Sequence, residues 1–438
     1  NKFIFESATT GAKPMDFNLS DMFGSSPKTI MTDRTITREY KNPSYDPAKL
    51  HEYVSQVLQL EAVACKDWLT NKADRCVTGR VAKQQCTGPL QLPLNNCGVM
   101  ALDYQGVNGV ATSIGHSPIS GLVDPVAGSK NSITEALTNI VWAPLEDGLK
   151  SISLSANWMW PCNNEGEDAR LYKAVAAVSE FSIDLGINVP TGKDSLSMKQ
   201  KYPNEEVISP GTVIISAAGH CNDITKVVEP VLQKDKGSIY YINVSQDTFK
   251  LGGSSFAQVM NVIGNEVPTV KSAAYTKTVF NTLQKLIKNE KIAAGHDVAS
   301  GGLITTLLEM CFADTQLGAN LNLSELSEEE LLKVLFAENC AVVIQASEDA
   351  SVESELAENN IDFVKIGAVT SDETLQLKHH SEQTMFDIPE MRDVWYRTSY
   401  LLDQKQSGPT KAEERFNNFK NQPLEFTFPQ QFTGQLPE

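Results

Sequence analysis

Short, almost unbroken apolar runs limit the fold of this chain more than any other feature. GTVIISAAGH (211–220), SIYYINVS (238–245) and CAVVIQAS (340–347) are too short for buried helices and too rich in β-branched residues for loops. They read as buried strands. Helical patterns are set among them at 47–60, 131–146 and 167–186, the last ending on Gly186, and then near 254–263, 275–290, 302–313 and 328–337. A further strand, VKIGAVT, follows at 364–370, and one more helix begins near 388. Grouped strands and grouped helices make an α+β protein. The polar stretch VVEPVLQKDKG (227–237) marks a boundary near residue 235, so the expectation is two α+β domains between an N-terminal arm and a C-terminal tail. No repeat with a period of 20–50 residues is visible.

At 438 residues the chain is long enough for two or three domains. No apolar run approaches the roughly 20 residues that span a membrane, and the first residues show no signal-peptide pattern. A net charge of −17 argues against nucleic acid as a partner. It leaves a nucleotide open, because Mg²⁺ held by carboxylates can supply the positive charge. The eight cysteines are scattered with no C-x-x-C pair, which excludes an obvious zinc motif and reads as reduced, buried thiols in a cytoplasmic protein.

The segment LGINVPTGKDSLSM (185–198) imitates the end of a phosphate-binding P-loop but fails the template. Five residues separate Gly186 from Gly192 where the template has four, and Asp194 stands where the metal-binding hydroxyl belongs. The following SLSMK alternates like a strand, whereas a P-loop opens a helix. Glu135 and Asn139 lie four apart and share a helix face, which suits a pair of metal ligands. Ser132 to Glu135 equally matches a capping box, with the helix starting there. In AAGHDVASGGL (293–303), Asp297 and the glycines before a helix could hold Mg²⁺ near phosphate. A plain helix cap by Asp297 or Ser300 explains the same residues. KLGGSSFAQ (250–258) is another Gly-Gly-Ser-Ser helix entry, and Trp158 and Trp160 alternate in a strand that also carries Asn157.

Taken in order, DRCVTGRVAKQQCTGPLQLPLNNC, EALTNIVWAPL, LSANWMW, GEDARLY, GKDSLSM, SPGTVIISA, LGGSSFAQ, GHDVASGGL and LLKVLFAENCAVVIQ resemble the phosphoribosylformylglycinamidine synthase family. That family is the ATP- and glutamine-dependent amidotransferase of purine biosynthesis, here in its large single-chain form. PEMRDVWYRTSYLLDQ extends the match into the tail. The resemblance implies the second of two aminoimidazole-ribonucleotide-synthetase-like repeats. It places an arm at 1–75, an N-type domain at 76–235, a C-type α/β domain at 236–385, and a helix and linker at 386–438. The first repeat, with its catalytic Glu-Thr-His-Asn motif, and the glutaminase with its Cys-His-Glu triad are not matched. The resemblance therefore implies a fragment, inactive alone, whose partners are those neighbouring domains and small nucleotide substrates.

By the same resemblance, Gly192, Lys193 and Ser195 of a Gly-Lys-Asp-Ser loop, with Ser155 and Asn157, face the preceding repeat and help form the ATP and substrate site. Asp194 should point the other way. Glu135, Asn139 and Asp297, with Asn96, correspond to the ligands of an auxiliary Mg²⁺–ATP/ADP site, where Asn95 and Ala299 contact the nucleotide. Two departures weaken that site. Asn96 replaces an aspartate, and Ala299-Ser300 replaces Ser-Asp, so two carboxylates give way to an amide and a hydroxyl. Related synthetases and kinases of the same fold lack the tryptophan and Gly-Lys-Asp-Ser stretches in this form. The alternative is a non-catalytic scaffold with a degenerate nucleotide site.

Overall fold

A computed structural model of the chain describes residues 1–24, 30, 32–70, 79–421 and 427–431. The expected domain limit at 75/76 and Cys76 lie outside the described residues. The chain opens with an antiparallel pair, β1 (Lys2–Phe5) and β2 (Met15–Asn18), then a short helix α1 (Leu19–Phe23), all exposed. An extended arm leads to α2 (Leu50–Leu58), whose buried stripe Leu50, Tyr53, Val54, Val57 and Leu58 seats it in a core, and to α3 (Asp67–Thr70).

The first large sheet is built from β3 (Val81–Lys83), β4 (Gly98–Ala101), β5 (Gly109–His116), β6 (Ile152–Met159), β7 (Asn188–Ser195) and β10 (Thr212–Cys221). Its order is β3-β4-β5-β10-β6-β7, antiparallel except for the β6–β7 pair. The helices are α4 (Pro118–Val123), α5 (Pro125–Ile140) and α6 (Glu167–Leu185), and β8 (Lys199–Lys201) pairs with β9 (Glu206–Ile208) as a small ribbon. Burial alternates strictly along β5 and nearly so along β10. One face therefore meets the helices, and the other, with Thr112, Ile114 and Asn157, stays open.

The sequence places a helix at 131–146, whereas α5 starts at Pro125 and ends at Ile140. Asp124 caps it by accepting from the amides of Val126 and Ala127, with Pro125 in the first turn. The capping box at Ser132–Glu135 therefore does not form. Ser132 sits mid-helix and donates to the Gly128 carbonyl. The missed turns, PVAGSK, hold mostly small residues and carry no apolar stripe to read.

The second large sheet holds β11 (Ile239–Ile242), β12 (Ile292–Val298), β13 (Gly318–Asn322), β14 (Ala341–Ala346), β15 (Val364–Thr370), β16 (Thr374–His379) and β17 (Glu382–Asp387). Its order is β12-β14-β11-β15-β13-β16-β17. The helices α7 (Ser255–Val259), α8 (Ala273–Lys288), α9 (Gly302–Phe312), α10 (Leu331–Phe336) and α11 (Asp349–Glu358) pack around it. Every residue of β11 and β14 is buried, because both faces of the sheet are covered. Tyr241 and Val343 join a core with α9 and α10, while Tyr240, Ile242, Val342 and Ile344 share a core with Ile133, Leu137 and Ile140 of α5. That shared core fixes the two sheets against each other.

The tail holds two helices, α12 (Ile388–Ser407) and α13 (Pro409–Asn418), where the sequence suggests one helix and a linker. Tyr396 and Tyr400 of α12 pack on Phe416 and Phe419, and Arg415 reaches the buried Asp67. A Gly-Pro break between the helices hides this tertiary docking from any local reading.

Candidate functional site

Asp297 ends up beside α5 because of a single close contact. On β12, Gly295 lies against the fully buried Trp142, and a Cβ there would stand 2.0 Å from the indole ring. Only glycine lets β12 approach this closely. The Asn96 amide donates to the Gly295 carbonyl at 2.9 Å, so the loop before β4 is tied to the same strand.

This approach concentrates acidic groups. Glu135 accepts from the His116 backbone N–H at 2.8 Å, across from the end of β5. Burial and the Asp297 charge, with a smaller contribution from Glu338, push its carboxyl up to about 8. The Nδ1 of His296 lies 3.1 Å from Asp297, and its Nε2 lies 3.2 Å from Glu309. Burial opposes charge on His296, but the two carboxylates outweigh it and hold its pKa at about 9. The Oδ2 of Asp297 and the Oδ1 of Asn96 are buried without a hydrogen-bond partner. Unpaired buried acceptors are costly, and a cation would satisfy both. Asn139 uses its amide to donate to the Glu135 carbonyl one turn earlier. Among the described residues, no group of three His, Cys, Asp or Glu side chains is arranged to hold a metal. Any metal here would draw on the amides as well.

Beside these groups a pocket of about 120 Å³ opens between the two sheets. His116, Ser117 and Ser120 line one wall, and Ser254, Ser255, Ala299 and Ser300 line the other, with Glu135 and Glu338 also in the lining. Glu338 accepts from the amides of Ser255 at 2.8 Å and Gly301 at 2.7 Å. The helix α9 is capped at Gly301, so neither Asp297 nor Ser300 serves as the cap. Sequence reasoning passed over Glu338. Its one signal is an acidic residue, in FAEN, held between two apolar runs. Asn95, Asn96, Asn139 and Asp297 lie outside the pocket lining, and Asn95 donates to the carbonyl of Gln84 earlier in the chain.

The second group of candidates is on the open sheet edge. Gly192 to Ser195 belong to β7 and not to a loop, which corrects the sequence reading. The parallel register sets Ser155 opposite Thr191, Asn157 opposite Lys193 and Met159 opposite Ser195. Lys193 donates to the Ser195 hydroxyl at 2.7 Å, and β7 is exposed along almost its whole length. Asp194, opposite Trp158, is exposed as well. The structure thus gathers Ser155, Asn157, Gly192, Lys193 and Ser195 on one edge, sets Glu135 and Ala299 in the lining of the inter-sheet pocket, and brings Asp297 close enough to Glu135 for its charge to act there.

The fold and pocket define a two-domain unit of the AIR synthase type. Residues 65–220 match the FGAR-AT PurM_N-like domain, and residues 244–380 match the C-terminal domain of AIR synthase related proteins. The solved T. maritima PurL complexed with FGAR shares the fold, with a TM-score of 0.60 over 78% of this chain and 53% of that one, at 11% identity. PurL complexed with ATP aligns with a TM-score of 0.53 over 68% of this chain and 46% of that chain, also at 11% identity.

Among curated proteins, a probable phosphoribosylformylglycinamidine synthase, chloroplastic/mitochondrial, of Arabidopsis thaliana is 38% identical over 93% of this chain. The Homo sapiens phosphoribosylformylglycinamidine synthase is 34% identical over 92% of it. The chain belongs to the phosphoribosylformylglycinamidine synthase family, and it spans 29% and 30% of the length of these two relatives. No helix among the described residues is long and apolar enough to cross a membrane.

Proposed function

We propose that this chain contributes one synthetase-type repeat to an ATP- and glutamine-dependent ligase that converts formylglycinamide ribonucleotide to formylglycinamidine ribonucleotide. The supporting observation is Glu135 in the lining of the inter-sheet pocket, under the charge of the neighbouring Asp297, whose Oδ2 is buried without a partner, as is the Asn96 Oδ1. Those donors are hard oxygens, which suits Mg²⁺. Glu135, Asp297, Asn96 and Asn139 would hold the ion, and its charge would screen nucleotide phosphates. The serines of the two walls would hydrogen-bond the nucleotide, whose ATP or ADP form the site does not distinguish. The open edge with Asn157, Lys193 and Ser195 would face a preceding repeat, with Lys193 as a point charge for phosphate. The domain limits we adopt are 76–235 and 236–385. The seven described cysteines are buried, which suits a cytoplasmic protein.

The experiment is calorimetric titration of Mg²⁺–ADP into the purified chain and into Glu135→Gln. Binding that weakens at least tenfold in the variant supports the proposal. No binding to either favours the second reading, a scaffold whose nucleotide site has decayed. The observation behind that reading is Asn96 and Ser300 in place of two carboxylates. In a chain that also carries the neighbouring domains, Lys193→Ala should lower kcat/KM at least tenfold, about 1.4 kcal/mol of transition-state stabilisation.

A further inference from the structure

The arm between α1 and α2 touches both walls of the pocket. Its inward residues alternate: Ile36, Arg38 and Tyr40 are partly buried, and Thr35, Thr37 and Glu39 are exposed. At its first end, Asp33 accepts from the amides of Gly166 and Ala169 and so caps α6 from a distant segment. Arg38 pairs at 2.7 Å with the buried Glu167. One turn on, Arg170 lies 3.5 Å from the other oxygen of Glu167 and donates to the carbonyls of Gly121 and Leu122. Those carbonyls belong to α4, whose first turn forms the pocket wall at Pro118–Ser120.

At its second end the arm holds the opposite wall. The Tyr40 amide donates to Asn265, the Asn265 amide donates to Asn42 at 2.8 Å, and the Gly264 amide donates to the Lys41 carbonyl at 2.9 Å. The turn so gripped accepts from Gly253 through the Ile263 carbonyl at 2.7 Å. Gly253 has a φ of +71°, and a Cβ on it would lie 3.1 Å from the Ser120 amide. Gly253 and Ser120, both in the pocket lining, therefore lie against each other where the two walls meet, each tethered to the same arm.

We infer that residues 33–46 form a clamp that sets the separation of the two pocket walls, with Arg38 and Asn265 as positioning residues. The walls come from different sheets, and the arm is bonded to supports of both. A strand that merely covered the surface would steady each end separately. A clamp transmits a break at one end to the other.

Hydrogen exchange followed by mass spectrometry on the nucleotide-free chain tests this. Arg38→Ala should raise amide exchange at least tenfold at 119–123 and also at 253–255, and Asn265→Ala should do the same at both walls. Arg38→Lys should restore much of the protection. Arg34→Ala, which removes only the exposed pair with Glu165, should leave both walls unchanged. Loosening confined to the end that carries the substitution would overturn the clamp. If Arg38→Ala fails to fold because Glu167 is left without its partner, Asn265→Ala, which strands no charge, decides the matter alone.

The inference rests on the nucleotide reading only in its second measurement, where Asn265→Ala should weaken Mg²⁺–ADP binding several-fold. A wild-type chain that binds no nucleotide would overturn that reading while the exchange result still judges the clamp.

Discussion

Glu135→Gln should make the metal-free protein more stable and abolish its response to Mg²⁺. The ordinary carboxyl value is 4.5, and burial beside Asp297 raises it to about 8 in the folded state. A raised acid takes up a proton on folding, so stability is lost as pH rises from the unfolded value to the folded one. At pH 7 the difference corresponds to about 3 kcal/mol, at 1.36 kcal/mol per unit. Glutamine keeps an oxygen for the His116 amide and removes the charge. The variant should therefore gain about 2–3 kcal/mol at pH 7 to 8 and almost nothing near pH 5. The assay is urea unfolding across pH 5 to 8 in chelator, repeated with millimolar Mg²⁺. Mg²⁺ should raise the wild-type midpoint and leave the variant unmoved, because only a ligand that binds the folded state stabilises it. Parallel pH profiles for the two proteins would refute the placement of a strained carboxylate in this pocket.

Three further outcomes test the surrounding structure. Asp67→Asn should cost about 3 kcal/mol and expose α13 to protease, because Asp67 is buried and binds Arg415 through both oxygens as well as the Tyr396 hydroxyl. Gly295→Ala should cost about 3 kcal/mol or more by driving a methyl into Trp142, and near-ultraviolet circular dichroism should report the displaced indole. Burial works to raise the Asp349 carboxyl, but the Lys365 ammonium and the Ser238 N–H and hydroxyl hold it down at about 2. Its contribution is present above the ordinary value of 3.8 and is lost as pH falls towards 2. Asp349→Asn should cost about 1 kcal/mol at pH 7, solvent screening at this partly exposed site included, and flatten acid unfolding between those values.

What the sequence determined by itself was local in origin. Apolar runs at 211–220, 238–245 and 340–347 became β10, β11 and β14, because a strand shielded on one or both faces must be written in β-branched and aromatic residues. Gly186 ended α6 as its left-handed cap, where only a residue without a side chain is unstrained. Order-preserving motifs sufficed to assign the family. Tertiary structure decided the rest. The start of α5 escaped notice because its first residues, PVAGSK, show no apolar periodicity and the start depended on an Asp-Pro cap. The Gly-Lys-Asp-Ser segment lies on an edge strand because β6 offered it a parallel partner 36 residues away in sequence. Glu338 joined the pocket because two distant backbone amides converge on it. Glu135 and Asp297 met because Trp142 needs the space that Gly295 leaves. Charge, pKa and the satisfaction of buried oxygens depend on distances between segments far apart in the chain, and only packing sets those distances.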